Sequence, residues 1–387
     1  MKALLVGSSF SAAPIFFALK KRGLHVTVCG SFKGDSCHGY ADASIHVDYS
    51  DRQSLFEVVK KNTFDFIVPT CNDYSYLSSS WVAERIGYPG FDSHETTEIL
   101  HTKKLFRART AAFSLPAPRL LEEHEYSSAD MSRPYLVKPV DSFSGRGVTK
   151  VESSEAMPQA IAKAHAASRS NQIVIEEFVD GTLHSHSAFI SNRRIAIDFF
   201  VDEFCTMHPY QVNCSNHPSR LGDDIRHGVR AAIEQLAHEL NIADGVLHTQ
   251  FIVNNHDFWI IECMRRCPGD LYGSLIERST GVNYTDLFIQ PFLGECYPDD
   301  ITQSSELFYG RHTISSKQPL VNFSFSPSIP ADELEIIPLK GSGERMEPAP
   351  FDKLAILLAR YPDRATMLAT THNLAELVRI NTLEESK

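Results

Sequence analysis

The sequence predicts a multidomain protein in which an α/β unit precedes a longer α+β region. Three observations carry this expectation. The chain has 387 residues, more than one ordinary domain of about 100–200 residues uses. Over the first hundred residues, short apolar runs alternate with helical segments, the pattern of a parallel sheet covered by helices. From the turn Leu115-Pro116-Ala117-Pro118 onward, the texture changes to antiparallel-looking strands.

Residues 3–6 read as the first buried strand and 12–22 as a helix closed by Gly23. A strand at His25–Cys29, a helix over 54–61, a strand over 64–68 and a helix over 76–86 ended by Gly87 complete the unit. The turn Gly7-Ser8-Ser9-Phe10-Ser11 stands where a dinucleotide fold carries its glycine fingerprint. GxGxxG is absent, so nothing admits a pyrophosphate to the backbone and a nicotinamide enzyme is disfavoured. Further on, strands are expected over 135–138, 173–178, 185–190, 195–200, 247–253 and 258–263. One amphipathic helix intervenes, with Asp223 as N-cap and Ile225, Val229, Ile233, Leu236 and Leu240 at helical spacing. A helix over 351–358 and a helix-to-strand unit over 365–380 close the chain.

Hydrophobic residues make up 43% and charged residues 22% of the sequence, which provides a core and excludes a disordered chain. The net charge of −11 argues against a nucleic-acid binder, which needs clustered cations, but leaves room for a nucleotide pocket. No apolar run reaches the roughly 18 residues that cross a bilayer, and the opening residues are too short for a signal-peptide core. Eight scattered cysteines without a CxxC pair suit a reducing cytoplasm better than disulfides or zinc.

Four separated stretches carry chemistry. Lys138 ends an apolar strand and is followed at once by Pro139-Val140-Asp141-Ser142-Phe143-Ser144-Gly145-Arg146-Gly147-Val148. Small residues there let backbone N–H groups wrap phosphate oxygens while the lysine supplies charge; a surface hairpin would use the same glycines. The strand Ile173-Val174-Ile175 runs into Glu176-Glu177-Phe178-Val179-Asp180-Gly181, a linker able to present backbone and apolar groups to an adenine ring. Lys103, in Thr102-Lys103-Lys104, read alone belongs to a solvated basic face. The fourth stretch joins His248-Thr249-Gln250 to Phe258-Trp259-Ile260-Ile261-Glu262 through the turn-forming Asn254-Asn255-His256-Asp257. A hairpin centred on His256 sets Gln250 opposite Glu262 and His248 opposite Met264, on one surface. Gln and Glu offer oxygen ligands suited to Mg²⁺ bridging nucleotide phosphates. Arg265 and Arg266 follow, with planar forks suited to phosphate or carboxylate.

Taken in order, these features resemble the ATP-grasp superfamily, in particular its branch of biotin carboxylase, carbamoyl phosphate synthetase and purine-pathway carboxylate ligases. The resemblance spans nearly the whole chain and rests on the order and spacing of the motifs. It implies a Rossmann-like pre-ATP-grasp domain over residues 1–97 and a two-lobed ATP-grasp domain over 98–300, with the nucleotide-binding lobe at about 130–205. A C-terminal α+β segment over 301–387 would complete the substrate side. ATP and Mg²⁺ are the implied cofactors. Lys103 and Lys138 would contact ATP phosphates, covered by the loop with Ser142, Ser144, Gly145 and Gly147. Glu176 and Val179 would meet adenine through backbone atoms, with Phe178 beside them. Gln250 and Glu262 would hold magnesium, and Arg266, with Arg265 adjacent, would face the reacting groups.

Two positions depart from the family pattern. Where an acid usually follows the hinge glycine to bind ribose, this chain has Leu183, and His184 is the nearest substitute. Where the family has E-x-N, it has Glu262-Cys263-Met264, and a thioether is a poor magnesium ligand; Asp198 or Asp257 could compensate. The implied activity is an ADP-forming carboxylate–amine ligation through an acyl phosphate, in a site that excludes water. Its partners would be a small-molecule carboxylate and an amine, an amino acid or small metabolite among them, with no nucleic acid and no membrane. Family members are often dimers, so a homodimer is compatible. Two rivals stay open: a non-catalytic ATP-binding module, suggested by Met264 and Leu183, and a bicarbonate-activating enzyme like biotin carboxylase.

Overall fold

The computed structural model describes residues 1–121, 125–126, 130–141, 145–298 and 300–382. It opens with β1 (Lys2–Val6), α1 (Ala13–Lys21), β2 (His25–Cys29), α2 (Ser36–Tyr40), β3 (Ala43–Ile45), α3 (Arg52–Lys61) and β4 (Phe66–Pro69). Then α4 (Asp73–Ile86), α5 (His94–His101) and α6 (Lys103–Ala112) lead away from it. The four strands form a parallel sheet in the order β3-β2-β1-β4. The two central strands, β1 and β2, are buried in every residue after the first, as expected where helices cover two faces. The Asn72 side chain accepts from the Tyr74 N–H to start α4, and Gly87, at φ 96°, ends it.

A small antiparallel sheet follows, built from β5 (Tyr135–Pro139), β6 (Thr149–Val151) and β7 (Ile173–Glu177) in the order β6-β5-β7. Helix α7 (Met157–Ala167) lies on it, packing Met157, Ala160 and Ala164 against Tyr135, Val137 and Ile175.

The largest element is an antiparallel sheet of eight strands. Its first part comprises β8 (Thr182–Ser191), β9 (Arg194–Phe204), β10 (Cys214–His217), β11 (Gly245–Asn254) and β12 (Asp257–Met264), with helices α8 (Asp223–Glu239), α9 (Tyr272–Thr280) and α10 (Tyr284–Ile289). The rest comes from β13 (Tyr309–Ile314), β15 (Glu333–Pro338) and β16 (Ala355–Arg360), with β14 (Phe323–Pro327) intervening in sequence. The order is β12-β11-β8-β9-β10-β13-β16-β15, so the chain beyond residue 301 extends the central sheet. Helices α11 (Arg364–His372) and α12 (Leu374–Leu377) and strand β17 (Val378–Thr382), paired with β14, finish the fold.

Alternation along these strands separates two cores. Ala188, Ile190, Phe200, Leu247 and Phe251 meet Val229, Ile233 and Leu236 of α8 on one face. Phe189, Phe199, Val201 and Val246 point the other way, into a core shared with α9, α10, α1 and the parallel sheet. Two expectations are corrected. The stretch expected to be helical over 351–358 contains strand β16, whose Ala355-Ile356-Leu357-Leu358-Ala359 run is buried on both faces between β13 and β15. Such a continuous apolar run carries no period that separates helix from strand. Asp223 is the first residue of α8 rather than its cap, which is Gly222. Among the described residues, no helix is long and apolar enough to cross a membrane.

A buried ion pair fastens the N-terminal unit to the central sheet. Arg265 Nε donates to Asp92 Oδ2 at 2.6 Å, Nη1 to the Val246 carbonyl at 2.6 Å and Nη2 to the Ala243 carbonyl at 2.7 Å. The Asp92 carboxylate also accepts from the Ala243 N–H at 2.7 Å and from the Tyr76 hydroxyl at 3.2 Å. Both charges are almost fully buried, so removing one strands the other in a medium that solvates it poorly. Asp92→Ala should therefore cost roughly 3–5 kcal/mol, read as a lowered urea midpoint; an unchanged midpoint would show that this pair does not fasten the two units.

Candidate functional site

The β11–β12 hairpin carries Gln250 and Glu262, the two oxygen donors expected to face a metal ion. Its register sets Gln250 opposite Glu262 and His248 opposite Met264, as expected, but the route differs. The turn is Asn255-His256, with Asn254 opposite Asp257, and Asn255 takes the left-handed conformation at φ 56°. Ile261 is then an extra residue on β12, a bulge at the step from Gln250 to Phe251 that restores the Gln250–Glu262 pairing. Among the described residues neither side chain makes a hydrogen bond or ion pair, and no three His, Cys, Asp or Glu side chains cluster as a ready metal cage. Two uncommitted oxygen donors fit a Mg²⁺ ion that keeps water and phosphate in its remaining positions. Met264 also faces the cavity but offers no hard ligand. Asp198 cannot compensate, because it lies on the opposite face, accepting from His186 at 2.7 Å and from Arg230 at 2.6 Å. Asp257, at the far end of the hairpin, opposes Asn254.

Gln250 and Glu262 line a cavity of about 440 Å³ that also gathers Lys103, Lys138, Glu176, Phe178 and Val179. It lies between the small sheet, the large sheet and the start of α6. Lys103 Nζ donates to the Val140 carbonyl at 3.0 Å, which holds it under the strand that precedes the glycine loop. Lys138 is buried and ion-paired with Glu176 Oε1. Arg107 takes Oε2 of the same carboxylate at 3.1 Å. Burial works against the Glu176 anion, but Lys138 and Arg107 together hold its carboxyl below the usual range. Burial lowers the Lys138 ammonium, with Glu176 opposing. With Arg107 as a second cation, Lys138 can be shared with a phosphate without leaving Glu176 uncompensated.

The hinge differs from expectation at one residue. The Glu176 backbone is paired on both sides, with Leu136 of β5 and with Leu120, so this residue meets the cavity as a charge partner of Lys138 and not through free backbone groups. The Val179 N–H has no partner among the described residues. Gly145 and Gly147 adopt φ of 71° and 75°, and a β-carbon on Gly145 would stand 2.6 Å from the Pro209 carbonyl oxygen. The loop there requires glycine. Ser142 and Ser144 lie outside the described residues.

Three further expectations are tested by burial. His184 does not reach the cavity. It points into the opposite core, where Nδ1 donates to Asp202 at 2.9 Å and Nε2 accepts from the Thr182 hydroxyl at 2.7 Å; Leu183 faces the cavity instead. Arg265 is the fastener described above, buried with every guanidinium nitrogen on a protein oxygen and absent from the cavity lining. Arg266 is positioned differently: Nε donates to Asp73 Oδ1 at 2.6 Å, Nη2 to Oδ2 at 3.2 Å, and Nη1 to the Cys267 carbonyl at 3.3 Å. Its side-on fork is thus spent on Asp73, itself a cavity residue.

The sequence reading missed a polar row across the sheet floor. Glu262, Gln250 and Ser185 are successive cross-strand neighbours, and so are Glu203, Ser215 and Arg311. Ser185 Oγ joins the two halves by donating to Glu203 Oε1 at 2.6 Å, while Ser215 donates to Oε2. Arg311 Nη2 in turn donates to Ser215 Oγ at 2.6 Å. Beyond it, Asp270 accepts from Lys353, and its own N–H donates to Ser11 at 3.2 Å. Asp270 and Leu271 are successive non-glycine residues in left-handed conformation, at φ 55° and 58°, strain of the kind that surroundings must enforce. The one local signal was Asp202-Glu203, adjacent acids inside an aromatic strand. Burial raises the Glu203 carboxyl from 4.5 to about 7, against the Arg311 charge and the two serines, with Asp202 adding to the rise. The folded protein therefore holds this proton where the unfolded chain has lost it, and wild-type stability falls as pH rises from about 4.5 to 7. Relative to Glu203→Gln, that loss should amount to roughly 3 kcal/mol, measured by urea unfolding at both pH values; a gap independent of pH would contradict it.

Residues 131–272 match the family model for the ATP-grasp domain. The formate-dependent phosphoribosylglycinamide formyltransferase of Synechococcus sp. (strain CC9605) is 24% identical over 301 residues, covering 75% of each chain. Two solved structures superpose over 99% of both chains: an L-amino acid ligase from Bacillus licheniformis, with TM-score 0.81 and 17% identity, and a phosphoribosylglycinamide synthetase from Anaerococcus prevotii, with TM-score 0.78 and 15% identity. Residues 131–272 thus carry an ATP-grasp domain, and the neighbours superposed on the chain share its fold.

Proposed function

We propose that this protein joins a carboxylate to an amine, using MgATP and an acyl phosphate. The observation that carries this reading is the single cavity holding two lysines, a hinge and an uncommitted Gln250–Glu262 pair. In the first half-reaction a carboxylate oxygen attacks the γ-phosphorus and ADP leaves. In the second, the amine nitrogen attacks the acyl carbon, the C–O bond to phosphate breaks, and the amine proton leaves with phosphate. Lys103 and Lys138 would neutralise phosphate oxygens, the Gly145–Gly147 loop would cover them, and Val179 would offer its N–H to adenine. Magnesium, held by Gln250 and Glu262, would supply charge neutralisation between the nucleotide phosphates. Arg266 would use the N–H groups left over from Asp73 on the transferring phosphoryl. The names of the relatives, a formate-dependent formyltransferase and an L-amino acid ligase, support a small carboxylate and a nitrogen acceptor. Eight free cysteines agree with a reducing, cytoplasmic setting, and the domain limits proposed are 1–97, 98–300 and 301–387.

The test is ADP release from the purified protein with MgATP and pooled amino acids, small carboxylates, amines and bicarbonate. Turnover should require one carboxylate and one amine, and Lys138→Ala should lower it by roughly 10²-fold or more. Release with bicarbonate alone would favour a carboxylase-like reaction. ATP binding without turnover in any pool would favour a non-catalytic module, with Met264 in the cavity as its cause.

A further inference from the structure

Two arginine–aspartate pairs cross from the N-terminal unit to the end of β12, and they differ in what they touch. Arg265–Asp92 is sealed in the core, with every guanidinium nitrogen on a protein oxygen and neither residue on the cavity. Arg266–Asp73 stands beside it, but Asp73 lines the nucleotide cavity and so does its second partner, His101. His101 Nδ1 donates to Asp73 Oδ1 at 3.2 Å, and its Nε2 faces the Arg265 backbone N–H at 3.5 Å, which fixes the ring from both sides. The ring is stacked on Tyr76 at an interplanar angle of 15°. Asp73 is thus clamped between α4, the last residue of α5 and the end of β12. A fastener would not need a cavity-facing carboxylate.

A guanidinium carries five N–H donors in one plane. Arg266 spends Nε and one Nη2 hydrogen on Asp73 and one Nη1 hydrogen on the Cys267 carbonyl, so each Nη keeps one donor. Because the group is planar, a two-point grip on one edge sets the direction of the donors that remain. Arg266 does not itself line the cavity, but it follows β12 two residues after Met264, and Met264, Glu262 and the Arg266 partner Asp73 all do.

We propose that Asp73, held by His101, is a positioning residue that aims Arg266 at the terminal phosphate of bound ATP, making the N-terminal unit part of the ATP site. This rests on the reading of Arg266 as a phosphate-facing group. The experiment compares affinities for ADP and for the non-hydrolysable analogue adenosine 5′-(β,γ-imido)triphosphate, both with Mg²⁺, by calorimetry on the full chain. Wild type should prefer the analogue by roughly tenfold, the value of one charge-assisted contact. Arg266→Ala should erase most of that preference, and Asp73→Asn should erase it to the same degree while ADP affinity changes less than about threefold. Asp73→Glu keeps the charge and the interdomain pair but displaces the grip, so it separates aim from folding: its preference should also fall, with the melting temperature within a few degrees of wild type. If Arg266→Ala lowers the preference and both Asp73 variants retain it, the positioning role is overturned and the reading of Arg266 survives. If Arg266→Ala itself retains the preference, the reading of Arg266 fails and the proposal falls with it.

Discussion

The alternation of side chains along β8 and β11 decides which residues of the large sheet's centre reach the cavity. One face of this sheet is sealed against α8 by Ala188, Leu247 and Phe251, so every residue in phase with them is removed from chemistry. The other phase carries Glu262, Gln250, Ser185 and, through strand pairing further along, Glu203, Ser215 and Arg311. His184 is one residue out of phase with Ser185, and that single step puts it in the hydrophobic core with Asp202 as its partner. The bulge at Ile261 serves the same constraint: without it, a turn at Asn255-His256 would leave Gln250 opposite Ile261 and displace the acid from the ligand pair.

Charge is arranged around this sheet in groups that each satisfy themselves before any ligand arrives. Glu176 answers both Lys138 and Arg107; Asp270 answers Lys353 and, at longer range, Arg311; Asp73 answers Arg266 and His101. Among the described residues Gln250 and Glu262 have no hydrogen-bond or ion-pair partner, and Lys103 in the same cavity has only the Val140 carbonyl. Under the proposed reading, this oxygen pair and Lys103 would be the groups left to meet a cation and the phosphates that come with it.

Much of the fold was legible because its signals are local. The alternation of apolar runs and helices in residues 1–87 gave the parallel unit, and the turn residues at 254–257 gave the hairpin and its ligand pair. The strand at Ala355–Arg360 was not legible, since a run buried on both faces has no polar phase to count. The roles of the arginines were hidden for a different reason. Arg265 and Arg266 are adjacent, and only partners at Asp92 and Asp73, far away in sequence, make one a sealed fastener and leave the other beside the cavity. Likewise the place of Glu176 in the hinge motif is local and legible, whereas its pairing with Lys138 and Arg107 depends on how three elements meet.

The central claim is that the cavity makes an acyl phosphate, and isotope transfer tests it most directly. The carboxylate substrate, labelled with ¹⁸O in both oxygens, would be turned over with MgATP and the amine, and the products separated for mass spectrometry. The account predicts that each phosphate released carries one ¹⁸O from the carboxylate, because that oxygen bridges carbon and phosphorus before the amine displaces it. Unlabelled phosphate, or label found in AMP, would contradict it.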